Sequence, residues 1–107
     1  MTSTSSQRPI VLLIDILGKK WVLRILWELK DSPCTFRELQ SRCGGLSPTI
    51  LNTRIKDLCT TQLVHKSQDS GYTLSKQGCE LIEHFYPLNE FANRWAQSLD
   101  SSYPGAA

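Results

Sequence analysis

Two predicted helices, joined by a turn with two adjacent glycines, constrain the fold of this chain more than any other feature. The first follows Thr35, whose hydroxyl can form a capping box with the Glu38 carboxylate. The second begins at Ser47, a good N-cap, with Pro48 at the first helical position. With residues 43–46 as the connection, this spacing is typical of a helix-turn-helix, although capped helices joined by glycine also occur in other folds.

The second of these helices has two different faces. An apolar stripe at helical spacing should face the core and consists of Leu51, Ile55 and Leu58. The opposite face carries short hydrogen-bonding groups and one cation, with no acid among them: Thr49, Asn52, Thr53 and Lys56. Such groups suit a helix that lies in a DNA major groove, where base edges present donors and acceptors. An ordinary solvated helix face can have the same composition, so this helix alone leaves both interpretations open.

A β-hairpin is predicted after the two helices. Residues 63–67 indicate a strand, residues 68–71 a turn and residues 72–74 the returning strand. Gln62 occupies a place where helices commonly end on a left-handed residue, for which glycine or asparagine is better suited. Packed against the helix pair, the hairpin would form a wing, on which Lys66 could bind a phosphate.

The first and last helices are more apolar than one small domain can bury. Propensity alone allows a strand at residues 10–17, but the proline before and the glycine after favour a helix that is apolar almost all round. Ser75 should cap the last long element, which Pro87 should kink or split near Tyr86. We therefore expect a homodimer whose interface includes residues of both ends of the chain. They are Ile10, Leu13, Ile14, Leu17, Phe85, Leu88, Phe91 and Trp95.

Composition and charge limit the function. The 107 residues should form one domain, 8–99, between flexible tails at 1–7 and 100–107. Residues 1–78 carry 11 Lys and Arg against 6 Asp and Glu, whereas residues 79–107 carry one Arg against four acids. Basic charge therefore accompanies the predicted helix-turn-helix. No run reaches the roughly 18 apolar residues that span a bilayer, and no signal peptide is evident, so we expect a cytoplasmic, nucleoid-associated protein without a membrane partner.

The cysteines do not suggest a metal site. Cys34, Cys43, Cys59 and Cys79 contain no Cys-x-x-Cys pair, and no histidine pair complements them. Each should be a free thiol in a reducing compartment, with Cys43 and Cys59 near the core. A redox role rests on their number alone. The chain also lacks a Ser/His/Asp set and a phosphate-binding glycine loop, so we expect neither an enzyme nor a cofactor.

The order of these elements is that of a winged helix, and across roughly residues 8–97 the sequence resembles the HxlR family of bacterial transcriptional regulators. This family is a branch close to the MarR-type regulators. The matching segments include Gly-Lys-Lys-Trp at 18–21, Phe-Arg-Glu-Leu at 36–39, Leu-Ser-Pro at 46–48 and Arg-Ile-Lys-Asp-Leu at 54–58. The first and third of these, at this separation, form the specific part of the match.

The resemblance implies a mainly α (α+β) fold, a winged helix-turn-helix with a short two-stranded wing and a long C-terminal dimerisation helix. It also implies a homodimer on double-stranded DNA, with two recognition helices in successive major grooves of a pseudo-palindromic operator. Carried over by position, Arg37 belongs to the supporting helix, and the DNA-facing segment contains Ser47, Pro48, Thr49, Asn52, Thr53 and Arg54. Arg54 flanks the apolar stripe, so we assign it to a phosphate or to bracing the helix.

Two departures from the family pattern matter. Arg8 stands where many members carry a cysteine, which some of them use to sense oxidants or electrophiles. The wing is about six residues shorter than usual, and Asp69 at its tip would repel phosphate, so we expect weaker minor-groove contact. Two alternatives therefore stay open: a winged-helix protein–protein module without DNA binding, and a thiol-based redox-responsive regulator. A small-molecule effector also stays open, because apolar helices at a dimer interface can enclose a ligand or pack dry.

Overall fold

The computed structural model describes residues 8–68 and 71–99, and within them the chain forms six helices and one β-hairpin. The predicted flexible tails and the wing-tip residue Asp69 lie outside the described residues. The helices and strands are α1 (Pro9–Leu17), α2 (Val22–Glu28), α3 (Phe36–Arg42), α4 (Pro48–Thr60), β1 (Val64–Lys66), β2 (Tyr72–Leu74), α5 (Lys76–Glu83) and α6 (Tyr86–Ser98). The predicted winged helix-turn-helix architecture is confirmed.

The helix-turn-helix is fixed by local hydrogen bonds at both ends of α3. The predicted capping box is present, because the Glu38 amide donates to Thr35 Oγ1 at 3.1 Å and the Thr35 amide donates to Glu38 Oε1 at 2.8 Å. At the other end, Gly44 has φ +77° and the Gly45 amide donates to the Gln40 carbonyl at 2.9 Å. This left-handed glycine closes the helix and turns the chain toward α4.

The core lies between the helix-turn-helix, the hairpin and α5. The predicted stripe of α4 is confirmed, since Leu51, Ile55 and Leu58 are all buried. They pack with the apolar residues of α2, whose Val22, Ile25 and Leu26 are fully buried, and with the buried side chains of the neighbouring elements. Those side chains are Leu29, Cys34, Leu39, Cys43, Leu46, Leu63, Val64, Leu74 and Ile82.

The wing is a two-stranded antiparallel hairpin that also pairs with one residue outside it. Val64 pairs with Leu74 and Lys66 pairs with Tyr72, so β1 is slightly shorter than the predicted strand 63–67. Leu63 is excluded because its amide donates to the Leu58 carbonyl at 3.0 Å and thereby closes α4. Backbone hydrogen bonds of 3.0 and 2.7 Å also join Cys34 to Tyr72, a pairing that the sequence did not indicate.

The predicted misfit at the end of α4 is present. Gln62 has φ +66°, one of two non-glycine residues with positive φ among the described residues, and its amide donates to the Cys59 carbonyl at 3.1 Å. The other is Trp21, with φ +80°, at the start of α2. Residues other than glycine are strained in the left-handed region of backbone conformation, so the packing around Gln62 and Trp21 must stabilise them.

The C-terminal element is split where Pro87 predicted a break. Ser75 caps α5 by accepting a hydrogen bond from the Gly78 amide at 2.9 Å, and α5 ends at Glu83. A new helix, α6, begins at Tyr86 with the proline in its first turn. Proline has no amide hydrogen to continue the earlier helix, but it fits the first turn of the next one.

Candidate nucleic-acid interface

Helix α4, the predicted recognition helix, begins where the sequence predicted. The Ile50 amide is 3.5 Å from Ser47 Oγ, which accepts its hydrogen bond, and Pro48 occupies the first turn. Ser47, Pro48 and Thr49 are exposed, so the N-terminal end of the helix faces solvent. The unpaired amides of a helix N-terminus favour a negatively charged group such as a DNA phosphate.

The polar face that the sequence predicted is present and exposed to solvent. Thr49, Asn52, Thr53 and Lys56 are all exposed. Thr53 Oγ1 donates its proton to the Thr49 carbonyl at 3.0 Å, so the hydroxyl is left with its lone pairs and can accept a further hydrogen bond. Asn52 can both donate and accept, whereas Lys56 can only donate. This face can therefore contact base edges and at least one phosphate.

One residue of this surface was missed from the sequence. Ile50 is 42% exposed on the first turn of α4, although it belongs to a helix whose other aliphatic side chains are buried. Its side chain can contact the methyl group of thymine, which is the apolar feature of the major groove. Its position outside the stripe of Leu51, Ile55 and Leu58 was the available signal.

Arg54 is occupied by the protein itself. Its Nε donates to the Lys20 carbonyl at 2.9 Å and its Nη1 donates to Asp57 Oδ2 at 3.1 Å. Lys19 Nζ lies 3.7 Å from the same carboxylate oxygen. The sequence allowed Arg54 either to bind a phosphate or to brace the helix, and these contacts favour bracing. They tie α4 to the loop between α1 and α2.

The remaining predicted DNA contacts lie on α3 and β1. Arg37 is exposed and lines a shallow polar depression together with Gln40, Ser41 and Gly45, next to the turn of the helix-turn-helix. Gln40 is held in place because its Nε2 donates to the Leu46 carbonyl at 2.9 Å. Lys66 is exposed on the wing. The roles of Arg37 and Lys66 in binding DNA stay predictions.

The residues predicted for a dimer interface fall into two groups. Ile10, Ile14, Leu88, Phe91 and Trp95 are exposed, and neither α1 nor α6 has a buried residue. On α6 the rings of Phe91 and Trp95 stack with their centroids 6.5 Å apart and together form an exposed apolar surface. In contrast, Leu17 and Phe85 pack against the core of the same chain, and the half-buried Leu13 lines a groove beside it.

Three of the four thiols are buried or half-buried. Cys34 and Cys43 are buried and Cys59 is half-buried, and burial raises the pKa of all three thiols above its ordinary value. The sequence anticipated the positions of Cys43 and Cys59 but not the burial of Cys34, which pairs with the wing. Cys79 is exposed on α5.

Among residues 8–68 and 71–99, no cluster of three or more His, Cys, Asp or Glu side chains is arranged to hold a metal ion. In the same part of the chain, no helix is both long and apolar enough to cross a membrane.

Comparisons with known proteins agree with this geometry. The model of the HxlR-like helix-turn-helix family matches residues 16–100. The uncharacterized HTH-type transcriptional regulator YdzF of Bacillus subtilis is 30% identical over 101 residues, which cover 88% of this chain and 89% of that protein. A possible HxlR family transcriptional factor from Thermoplasma volcanium superposes with a TM-score of 0.74 at 28% identity, over 86% of this chain and 88% of that one.

The quinone-bound form of YodB from B. subtilis is a further structural neighbour. It has a TM-score of 0.73 and 27% identity, and the match covers 82% of this chain and 99% of YodB. The family match extends over most of the chain and includes the helix-turn-helix, the wing and both C-terminal helices. This chain therefore belongs to the HxlR-like helix-turn-helix family and is a transcriptional regulator of the HxlR type.

Proposed function

We propose that this regulator binds a pseudo-palindromic operator in double-stranded DNA as a homodimer, in the cytoplasm. The observation that carries this proposal is the exposed polar face of α4, which lies on a capped helix of a winged helix-turn-helix. Each subunit would place this helix in one major groove, and the two-fold axis of the dimer would match that of the operator. Occupancy of a promoter would then block or recruit the transcription machinery.

Affinity and sequence preference would come from different groups. Exposed cations on three elements, Arg37, Lys56 and Lys66, would bind phosphates and provide affinity that depends on salt. Base preference would come from the first turns of α4, where Thr49, Asn52 and Thr53 are exposed beside the apolar Ile50. The wing contributes Lys66, and its acidic tip residue Asp69 argues for a minor role of the wing tip.

Selection from a library of random duplexes, followed by binding measurements at two salt concentrations, tests this proposal. A palindromic motif with half-sites about one helical turn apart is the expected result. Binding that is steeply salt-dependent but has no sequence preference would indicate an architectural protein. No binding at about 50 mM salt would favour the alternative of a protein–protein module.

Single substitutions on α4 should separate base contacts from phosphate contacts. Asn52→Ala and Thr53→Ala should each reduce discrimination at one base pair of a half-site by about 1 to 3 kcal/mol, because a direct contact is lost. Lys56→Ala should weaken binding to all duplexes alike and lower the salt dependence. Titrations of operator variants at two salt concentrations measure both effects. Unchanged operator discrimination in Asn52→Ala and Thr53→Ala, together with an unchanged salt slope in Lys56→Ala, would contradict this role of α4.

Regulation by a thiol or a small molecule is a second candidate, and the quinone-bound state of YodB supports it. In this chain, Arg8 replaces the cysteine of the family pattern, and three of the four thiols are protected by burial. An apolar cleft lined by Trp27, Phe85 and Leu88 lies between α2 and α6 and could accept a small apolar effector. Adding quinones or peroxides to the DNA complex and measuring its dissociation, in the wild type and in Cys79→Ser, would distinguish regulation through a thiol from binding of a small effector.

Native-state labelling should distinguish the four thiols. At neutral pH a maleimide should modify one thiol rapidly, that of Cys79, because Cys34 and Cys43 are buried, Cys59 is half-buried, and all three have raised pKa values. The other three should react only in denaturant, and Cys79→Ser should abolish the rapid phase. Mass spectrometry counts the adducts. Rapid labelling of two or more thiols in the folded protein would show that the core opens more readily than the structure implies.

The same burial predicts how stability depends on pH. Unfolded thiols ionise near pH 8.5, whereas the raised pKa values keep the folded thiols protonated to higher pH. The unfolded state therefore loses protons first, so the stability present below about pH 8.5 should decrease as the pH rises above it. Urea unfolding across this range measures the effect, and Cys59→Ala should reduce the decrease.

A further inference from the structure

The contacts of Arg54 join the recognition helix to a distant part of the chain. Its guanidinium bridges the Lys20 carbonyl, 34 residues away in sequence, and the Asp57 carboxylate one turn along α4. Lys19 approaches the same carboxylate from the loop side. The Arg54 and Asp57 side chains are 25% and 28% exposed. Partial burial reduces screening by solvent, so these interactions are stronger than those of fully exposed ion pairs.

The loop at residues 18–21, which provides the Lys20 carbonyl, has a backbone fixed by hydrogen bonds. Its amides are used in tight turns, since Gly18 donates to the Ile14 carbonyl at 2.8 Å and Lys19 donates to the Ile16 carbonyl at 3.2 Å. Trp21 adopts a left-handed conformation and packs against the core. A strained residue in this position persists only when its surroundings hold it, so the Lys20 carbonyl next to it has a defined direction.

Directional contacts are needed on this helix because its other attachments are apolar. The stripe of Leu51, Ile55 and Leu58 anchors α4 by the hydrophobic effect, which is not directional. A rotation of α4 about its own axis would keep much of this packing but would move the exposed polar face away from the bases. The hydrogen bonds of Arg54 resist such a rotation, because their strength depends on donor and acceptor alignment.

We propose that Arg54 and Asp57 are positioning residues that set the orientation of the recognition helix against loop 18–21, and that Arg54 does not bind DNA. This inference rests on the proposed function of α4 and deepens it. Loop 18–21 directly follows α1, the helix proposed to dimerise, so the same contacts would relate the spacing of the two recognition helices to the dimer.

The direction in which Asp57→Asn changes operator affinity tests this role. If Asp57 positions α4, Asp57→Asn should weaken operator binding about three- to tenfold while leaving binding to random duplex unchanged or slightly stronger. If Asp57 were a bystander, removing its negative charge near DNA should strengthen binding to both duplexes. Arg54→Gln should produce the same loss of operator preference with an unchanged salt slope, whereas a lost phosphate contact should lower the slope by about 0.9. Lys56→Gln on the same helix is the matched control, and its salt slope should decrease.

A measurement without DNA separates this inference from the proposed function. In the free protein, Arg54→Gln should shift the amide resonances of Lys20 and Trp21, whereas Lys56→Gln should leave them in place. Circular dichroism should show all variants folded, because none of the substituted side chains belongs to the apolar core. Unshifted loop resonances in Arg54→Gln, or stronger operator binding by Asp57→Asn, would overturn the inference. Sequence-independent binding by the wild type would contradict the proposed function alone.

Discussion

Replacing both Phe91 and Trp95 with glutamate should give a folded monomer that binds operator DNA at least about 100-fold more weakly than the wild type. Both side chains are 49% exposed and lie outside the core, so the substitution removes apolar surface without leaving a cavity. Glutamates at a subunit contact would be desolvated without partners, which strongly disfavours association. A monomer engages one half-site, and the loss of simultaneous binding reduces avidity by about 10² to 10⁴.

The matched control for this prediction is on the same helix. Asn93 and Gln97 are exposed on α6, and glutamate at these two positions introduces the same charge while keeping Phe91 and Trp95. Sedimentation and a DNA titration on the same samples report assembly and binding together. A Phe91→Glu/Trp95→Glu protein that remains dimeric would exclude α6 as the interface. A monomer with wild-type operator affinity would exclude the two-half-site mechanism.

Among the glycines in the described residues, Gly78 is the one where an added methyl group should destabilise the fold most. Gly78 is buried in α5, and a Cβ there would overlap the backbone oxygen of Leu63 and lie 3.3 Å from Leu74 Cβ. A backbone oxygen at the end of α4 cannot rotate away as a side chain can. Overpacking should therefore outweigh the roughly 1 kcal/mol of helix propensity that alanine gains, with a net loss of at least about 2 kcal/mol.

Urea denaturation measures this loss, and Gln77→Ala is its control. Gln77 is exposed on the preceding position of α5, so its truncation should change the unfolding free energy by less than about 0.5 kcal/mol. For a domain of this size, a 2 kcal/mol loss lowers Tm by roughly 8 °C or more. An unchanged midpoint in Gly78→Ala would mean that α5 can move away from the hairpin without cost.

The local elements of this fold were predictable from sequence, because short-range chemistry fixes them. The capping box at Thr35, the start of α4 at Ser47, the left-handed Gln62 and the break at Pro87 are all present. In each case the side chain acts on a backbone only a few residues away. Periodicity likewise identified the buried stripe of α4, because a helix repeats every 3.6 residues.

The candidate site was predictable in composition and less so in detail. The exposed polar residues of α4 followed from the same periodicity. The exposed apolar residue beside them, Ile50, was not predicted. For Arg54, the sequence allowed a phosphate contact or a brace. The contact that favours the brace involves the Lys20 carbonyl, whose position no pattern on α4 contains.

The sequence by itself determined the caps of α3, α4 and α5, the break before α6, and which face of α4 is polar. Only the tertiary structure paired Cys34 with Tyr72 in an isolated β-bridge and brought the 18–21 loop against Arg54. It also showed that α1 and α6 are left without buried residues, which leaves room for a second subunit. Caps and turns act over a few residues, whereas these contacts join distant segments whose meeting depends on how the whole core packs.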